Sequence, residues 1–199
     1  MKTRTSLALI SALAIGAATA LPARAAADSG PFYLVLKGGA YFPTVSGAVD
    51  AITGLDLVSL KTSYTFELGF GVDFGALGLQ VSGGYLHTGN DVSSINGWPL
   101  VALLRLRLPI FFIVPYLEGG VGAFITSASF TISGAQVTSN TVIDFEGIIG
   151  GGVDFLLGPF ILGAEARYLW VSPTFTIPQG NVPMKLDGVT LTANLGYRF

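Results

Sequence analysis

The chain has no cysteine and a single histidine, and only 11% of its residues are charged. Without cysteine nothing can be stapled by a disulfide, and no thiol can be misoxidised in an oxidising compartment. A lipid anchor on an N-terminal cysteine is excluded for the same reason. One histidine, His87, cannot build an ordinary multi-histidine zinc site. Soluble domains carry roughly 25% charge, so this composition points away from water. Long apolar runs are missing as well. The nearest approach to a spanning helix is Trp98 to Val114, which holds Arg105, Arg107, Pro99 and Pro109. Each arginine at a helix centre costs about 2.5–3.5 kcal/mol on insertion, which rejects that segment. Basic clusters are absent, and the net charge of −2 argues against a nucleic-acid partner. The run Gly119-Gly120-Val121-Gly122 lacks the Lys-Ser/Thr and the helix of a phosphate loop, and it reads as small residues that let strands pack closely.

What is present is apolar and glycine-rich: 51% hydrophobic residues, 27 glycines and 14 phenylalanines. High hydropathy without long runs is the mark of a closed barrel, which satisfies its own backbone in lipid with apolar side chains outward and polar ones inward. Residues 1–25 read as a cleaved export signal. Lys2 and Arg4 make the positive start, Ser6 to Leu21 the apolar stretch, and Ala23-Arg24-Ala25 the small-x-small site; cleavage after Ala27 is the second choice. The remainder, 26–199, reads as one domain. Without Lys2, Arg4 and Arg24 its seven cations face twelve acids.

Period-two alternation runs through this domain. Strands are predicted over about 31–42, 64–74, 77–87, 99–108, 115–125, 142–155, 160–171 and 189–199. The strongest is the second, where Tyr64, Phe66, Leu68, Phe70, Val72 and Phe74 alternate with Thr65, Glu67, Gly69, Gly71 and Asp73. Connections alternate between long polar loops (43–62, 87–98, 126–140, 173–188) and short turns, with Gly75-Ala76-Leu77-Gly78 and Leu157-Gly158-Pro159 as turn signals. Each strand is long enough to cross a bilayer when tilted. The predicted fold is an all-β, eight-stranded, up-and-down antiparallel transmembrane barrel. A soluble ligand-binding barrel also alternates, with its apolar face inward. The charges decide between the two: Lys37, Glu67, Asp73, Arg105, Arg107, Glu118, Asp144, Glu146, Asp154, Glu165, Arg167 and Arg198 all lie on the polar face, which is too charged for lipid.

The terminal strand, Val-Thr-Leu-Thr-Ala-Asn-Leu-Gly-Tyr-Arg-Phe, closes on an aromatic. The segment Gly71-Val72-Asp73-Phe74 recurs as Gly152-Val153-Asp154-Phe155, and the second copy continues through Gly158-Pro159 to Ala164-Glu165-Ala166-Arg167-Tyr168. These features resemble the small OmpA/OmpX-type outer-membrane barrel superfamily. The resemblance implies short periplasmic turns, long outer loops, outer-membrane lipid around the barrel, and a barrel assembly machinery that reads the end bearing Tyr197 and Phe199. It implies little about function, because that superfamily does many things.

Inside so narrow a barrel there is room for side chains and little else, and buried charges must be paired. Centring one turn at 111–112 sets Arg105 opposite Glu118. Centring the next at 157–158 sets Arg167 diagonal to Glu146. Lys37 and Glu67 fall at similar depth on neighbouring strands. The expected site is thus a lumen ion-pair network of Lys37, Glu67, Arg105, Arg107, Glu118, Glu146, Glu165 and Arg167. His87, with Asp91, Ser93 and Ser94 near it, offers a rim histidine for catalysis only if a carboxylate orients it. The expectation is a monomer that is not an enzyme, with no cofactor, no metal and a structural or surface-interaction role. The alternatives are a narrow channel for small or hydrophobic solutes and an outer-membrane enzyme that modifies lipid A.

Overall fold

A computed structural model describes residues 30–44, 63–89, 93–132, 135–138, 141–177, 180–183 and 185–199. The expected export segment, most of the first long loop and Asp91 lie outside the described residues. Eleven strands follow in chain order: β1 Phe32–Pro43, β2 Ser63–Phe74, β3 Leu77–Gly89, β4 Ser93–Arg107, β5 Ile113–Ile132, β6 Ala135–Thr138, β7 Val142–Leu157, β8 Phe160–Val171, β9 Thr174–Ile177, β10 Gly180–Pro183 and β11 Gly188–Arg198. β1, β2, β3, β4, β5, β7, β8 and β11 each pair antiparallel with the next, and β11 returns to β1. The eight-stranded ring therefore has no open edge, and its backbone groups are satisfied around it; β6 pairs only with β5, on the extension past the ring.

The apolar face is outside. Leu68 is 52% exposed and Leu117 66%, whereas Lys37 is 1% and Glu146 0% exposed. Phe32, Phe70 and Phe199 stack at the end that carries the short turns, with centroids 6.0–6.4 Å apart. Tyr64, Tyr85 and Trp98 cluster toward the opposite end. Two such belts are what an aromatic girdle at each membrane interface requires.

Three two-residue turns close the short end, and they share one device. Gly75 (φ 69°), Gly158 (φ 64°) and Phe111 (φ 61°) each occupy the first turn position with positive φ. That is the first-position requirement of a type II′ hairpin, whose twist suits the flanking strands. Pro159 follows Gly158, where its fixed φ fits. Phe111 holds the same conformation with a side chain that is 80% exposed.

The long connections contain more strand than their composition predicts. β3 and β4 run through most of 87–98, pairing His87 with Asn96 and Gly89 with Ser94. β5 reaches Ile132 and turns back into β6, and β9 and β10 form a separate hairpin within 173–188. Beyond the lipid both faces of a ribbon are wet, so the apolar alternation that marks a strand is lost while backbone pairing continues.

Candidate functional site

The lumen is filled in layers. At the short-turn end Asp73 accepts ion-pair contacts from Arg107 and Arg198. Asp73 and Asp154, the acids of the repeated segment, each sit opposite a glycine across a tight hairpin, Gly78 and Gly163. A Cβ on either glycine would collide with the facing carboxylate. The repeat is thus a packing unit: aspartate and glycine share one slot, and an arginine from elsewhere closes it.

The next layer centres on Arg105. It reaches Asp154 at 3.0 Å and Glu118 at 3.3 Å, donates to the Tyr33 hydroxyl at 3.2 Å, and lies 3.7 Å from the centroid of Tyr116. The cation is thereby held by two carboxylates and an aromatic face together. Tyr33 in turn donates to Gln80 Oε1 at 3.2 Å, and its ring fills the space over Gly71. Above it, Arg167 contacts Glu67 at 2.7 Å and both Glu118 and Glu165. Lys37 reaches Glu165 at 2.7 Å, and Tyr116 donates to the same carboxylate oxygen at 2.8 Å. Asn194 completes the layer with a 3.2 Å bond to the Tyr116 hydroxyl.

Strand register explains these meetings. Arg105 faces Glu118 directly, and Lys37 faces Glu67. The β7–β8 hairpin departs from the expected register by two residues: Leu157 pairs with Phe160, which puts Gly150 opposite Arg167 and Val171 opposite Glu146. Gly158 and Pro159 form the turn between them, because positive φ followed by proline specifies that pair and not 157–158. Glu146 consequently sits one step farther from Arg167 than expected and makes no ion pair among the described residues. Seven of the eight expected network residues do make ion pairs. Asp73, Asp154 and Arg198 belong with them. Their place on the polar face was legible, but their partners lie across the lumen, beyond the reach of hairpin arithmetic.

Beyond Arg105 and Arg167 the filling becomes apolar, and Glu146 sits one inward step past Ile148 toward the long loops. Val101, Leu103, Ile148 and Leu169 form a buried cluster, and Tyr41, Leu86, Ile95, Phe124 and Val171 are buried as well. Leu186, from the last connection, is 4% exposed; its carbonyl accepts the Tyr41 hydroxyl at 2.6 Å and its N–H bonds Val171 at 2.9 Å. A small cavity of about 20 Å³ remains between the ionic and apolar layers, with Glu146, Glu67 and Arg167 in its wall.

His87 lies outside the lumen, at the long-loop rim. Its ring stacks on Tyr64 (centroids 5.2 Å apart), and Nδ1 is 2.8 Å from Asn96 Oδ1, which also accepts the Tyr85 hydroxyl at 2.6 Å. An amide oxygen only accepts, so the contact is a hydrogen bond in the tautomer that carries its proton on Nδ1. Among the described residues the partner that orients the ring is the Asn96 amide; Asp91 lies outside them.

No protein-family model and no curated protein matches the chain. Solved structures do. The chain is similar to Neisserial surface protein A, with a TM-score of 0.57 at 17% identity, covering 84% of this chain and 97% of that one. It is also similar to Ail, the attachment invasion locus protein of Yersinia pestis and an outer membrane protein, with a TM-score of 0.54 at 17% identity, covering 85% and 99%. The fold is that of the small eight-stranded outer-membrane barrels.

Proposed function

We propose that the protein is exported to the bacterial outer membrane and acts there as a closed barrel, with a structural or surface-interaction role borne by its long loops. The carrying observation is the filled lumen. Ion pairs occupy the short-turn half, and buried apolar side chains with Leu186 lie toward the long loops, so among the described residues side chains pack the interior that a solute would have to cross. The names of the two similar structures, a surface protein and an attachment protein, accord with such a role. The apolar exterior supports lipid contact, and the terminal Tyr197 and Phe199 are suited to recognition during assembly.

The cysteine-free sequence allows a direct test. Single cysteines are placed at a long loop, Asp91→Cys, and at a short turn, Ala76→Cys. On intact cells a membrane-impermeant maleimide is expected to label the first and spare the second until the outer membrane is permeabilised. Equal labelling of both on intact cells, or of neither, would overturn the proposed location and orientation.

A further inference from the structure

The lumen charges do not balance. Lys37, Arg105, Arg107, Arg167 and Arg198 face seven inward acids: Glu67, Asp73, Glu118, Asp144, Glu146, Asp154 and Glu165. Asp144 and Glu146 make no ion pair among the described residues, and Glu146 is the fully buried one of the two. It is 0% exposed, and neither carboxylate oxygen has a hydrogen-bond partner among the described residues. A bare buried carboxylate is among the costliest groups a fold can hold. It lines the cavity between the layers, whose polar wall also includes Thr65, Glu67, Arg167, Thr190 and Thr192.

The wall of that cavity is rich in acceptors. Thr65 donates its hydroxyl to the Tyr85 carbonyl at 3.3 Å, and Thr192 donates to Asn194 Oδ1 at 3.2 Å. Both hydroxyl protons are committed, so lone pairs are what these threonines can offer to a guest. Glu67 Oε1 has no hydrogen bond and lies 3.7 Å from Lys37 Nζ. Against these acceptors stand two free donors, Arg167 Nη2 and the Thr190 hydroxyl; the rest of that guanidinium is engaged by Glu67, Glu118 and Glu165. The cavity, about 20 Å³ in volume, has room for one water-sized guest, for which roughly 10–15 Å³ suffices. Among the described residues no group of three or more His, Cys, Asp or Glu side chains is arranged to hold a metal, so the wall is not a divalent cage. Hard monovalent cations take mixed hydroxyl and carboxylate oxygens.

We infer that this cavity is a binding site for a single small monovalent cation of sodium size, held by the Glu146 carboxylate with Glu67 Oε1 and the threonine hydroxyls. The cation neutralises the one fully buried acid that has no ion pair. It is a site within the closed barrel and requires no conduction.

The test follows the urea midpoint of the full-length protein refolded in detergent micelles, with sodium chloride exchanged for choline chloride at constant ionic strength. Guanidinium is avoided because it is itself a cation. The wild type is expected to show a midpoint that rises with sodium and saturates. Glu146→Gln is expected to lose that sodium-specific rise while keeping its heat-modifiable migration. Thr65→Val, which removes a wall oxygen and no charge, is the second variant and should shift half-saturation several-fold higher. A wild-type midpoint equal in sodium and choline would overturn the inference and leave a water molecule as the guest. A sodium response retained in full by the folded variants would overturn the assignment to this cavity.

Discussion

At the scale of the residue, buried charge governs the lumen, and the cost of a change depends on what it leaves behind. Removing one member of a buried pair strands its partner in a dry interior, at about 3–5 kcal/mol. Arg105→Ala would leave both Asp154 and Glu118 short of a cation and would strip Tyr116 of its stacked guanidinium. The urea midpoint is expected to fall accordingly; an unchanged midpoint would contradict the register placed here. Glu146 is the opposite case. Glu146→Gln removes an unpaired charge and keeps the shape, so in sodium-free buffer the midpoint should stay level or rise. A drop like that of Arg105→Ala would show that Glu146 has a partner after all. Much of this was legible in the sequence, because a period of two assigns every charge to one face and a turn centre fixes the facing pairs. Arg105 with Glu118 is such a pair. Asp73 with Arg107 and Arg198 is not: β2, β4 and β11 meet only through the lumen, and no local pattern reports a contact across it.

At the scale of the element, the short turns set registers on which every lumen contact depends. Gly158 holds φ 64° beside Pro159, and an L-residue in that region costs roughly 1–2 kcal/mol. Gly158→Ala is therefore expected to destabilise by about that amount, read as a fall in the urea midpoint, whereas Gly119→Ala, whose Cβ would meet only a carbonyl at 3.7 Å, should be nearly silent. Equal effects from the two would contradict the turn assignment. The sequence pointed to Leu157-Gly158-Pro159 as a turn, but the expected centre at 157–158 is one position too early, and a shift of one turn position moves the facing residues by two. That is why Glu146 was expected beside Arg167. The extended ribbons of β5 and β6 were hidden for a different reason. Outside the bilayer no face need be apolar, so Ser- and Thr-rich strand and Ser- and Thr-rich loop look alike.

At the scale of the whole molecule, the decisive property is which face of the sheet is dry. Alternation alone permits a soluble barrel with the apolar face inside. The charges of the polar face exclude that arrangement, and the apolar side chains are found exposed along every strand of the ring. The fold was therefore readable from composition and period together. The apolar filling of the long-loop half was not, since Val101, Leu103 and Ile148 occupy inward positions that the polar-inward rule assigns to polar residues. The proposed role requires that the ionic and apolar layers together close the interior. The measurement that tests this most directly is single-channel conductance of the refolded protein in a planar bilayer, wild type beside Arg105→Ala/Glu118→Ala. A closed barrel predicts no steady current from the wild type. A reproducible steady current, altered by the double substitution, would contradict the account and make the ionic layers a gate.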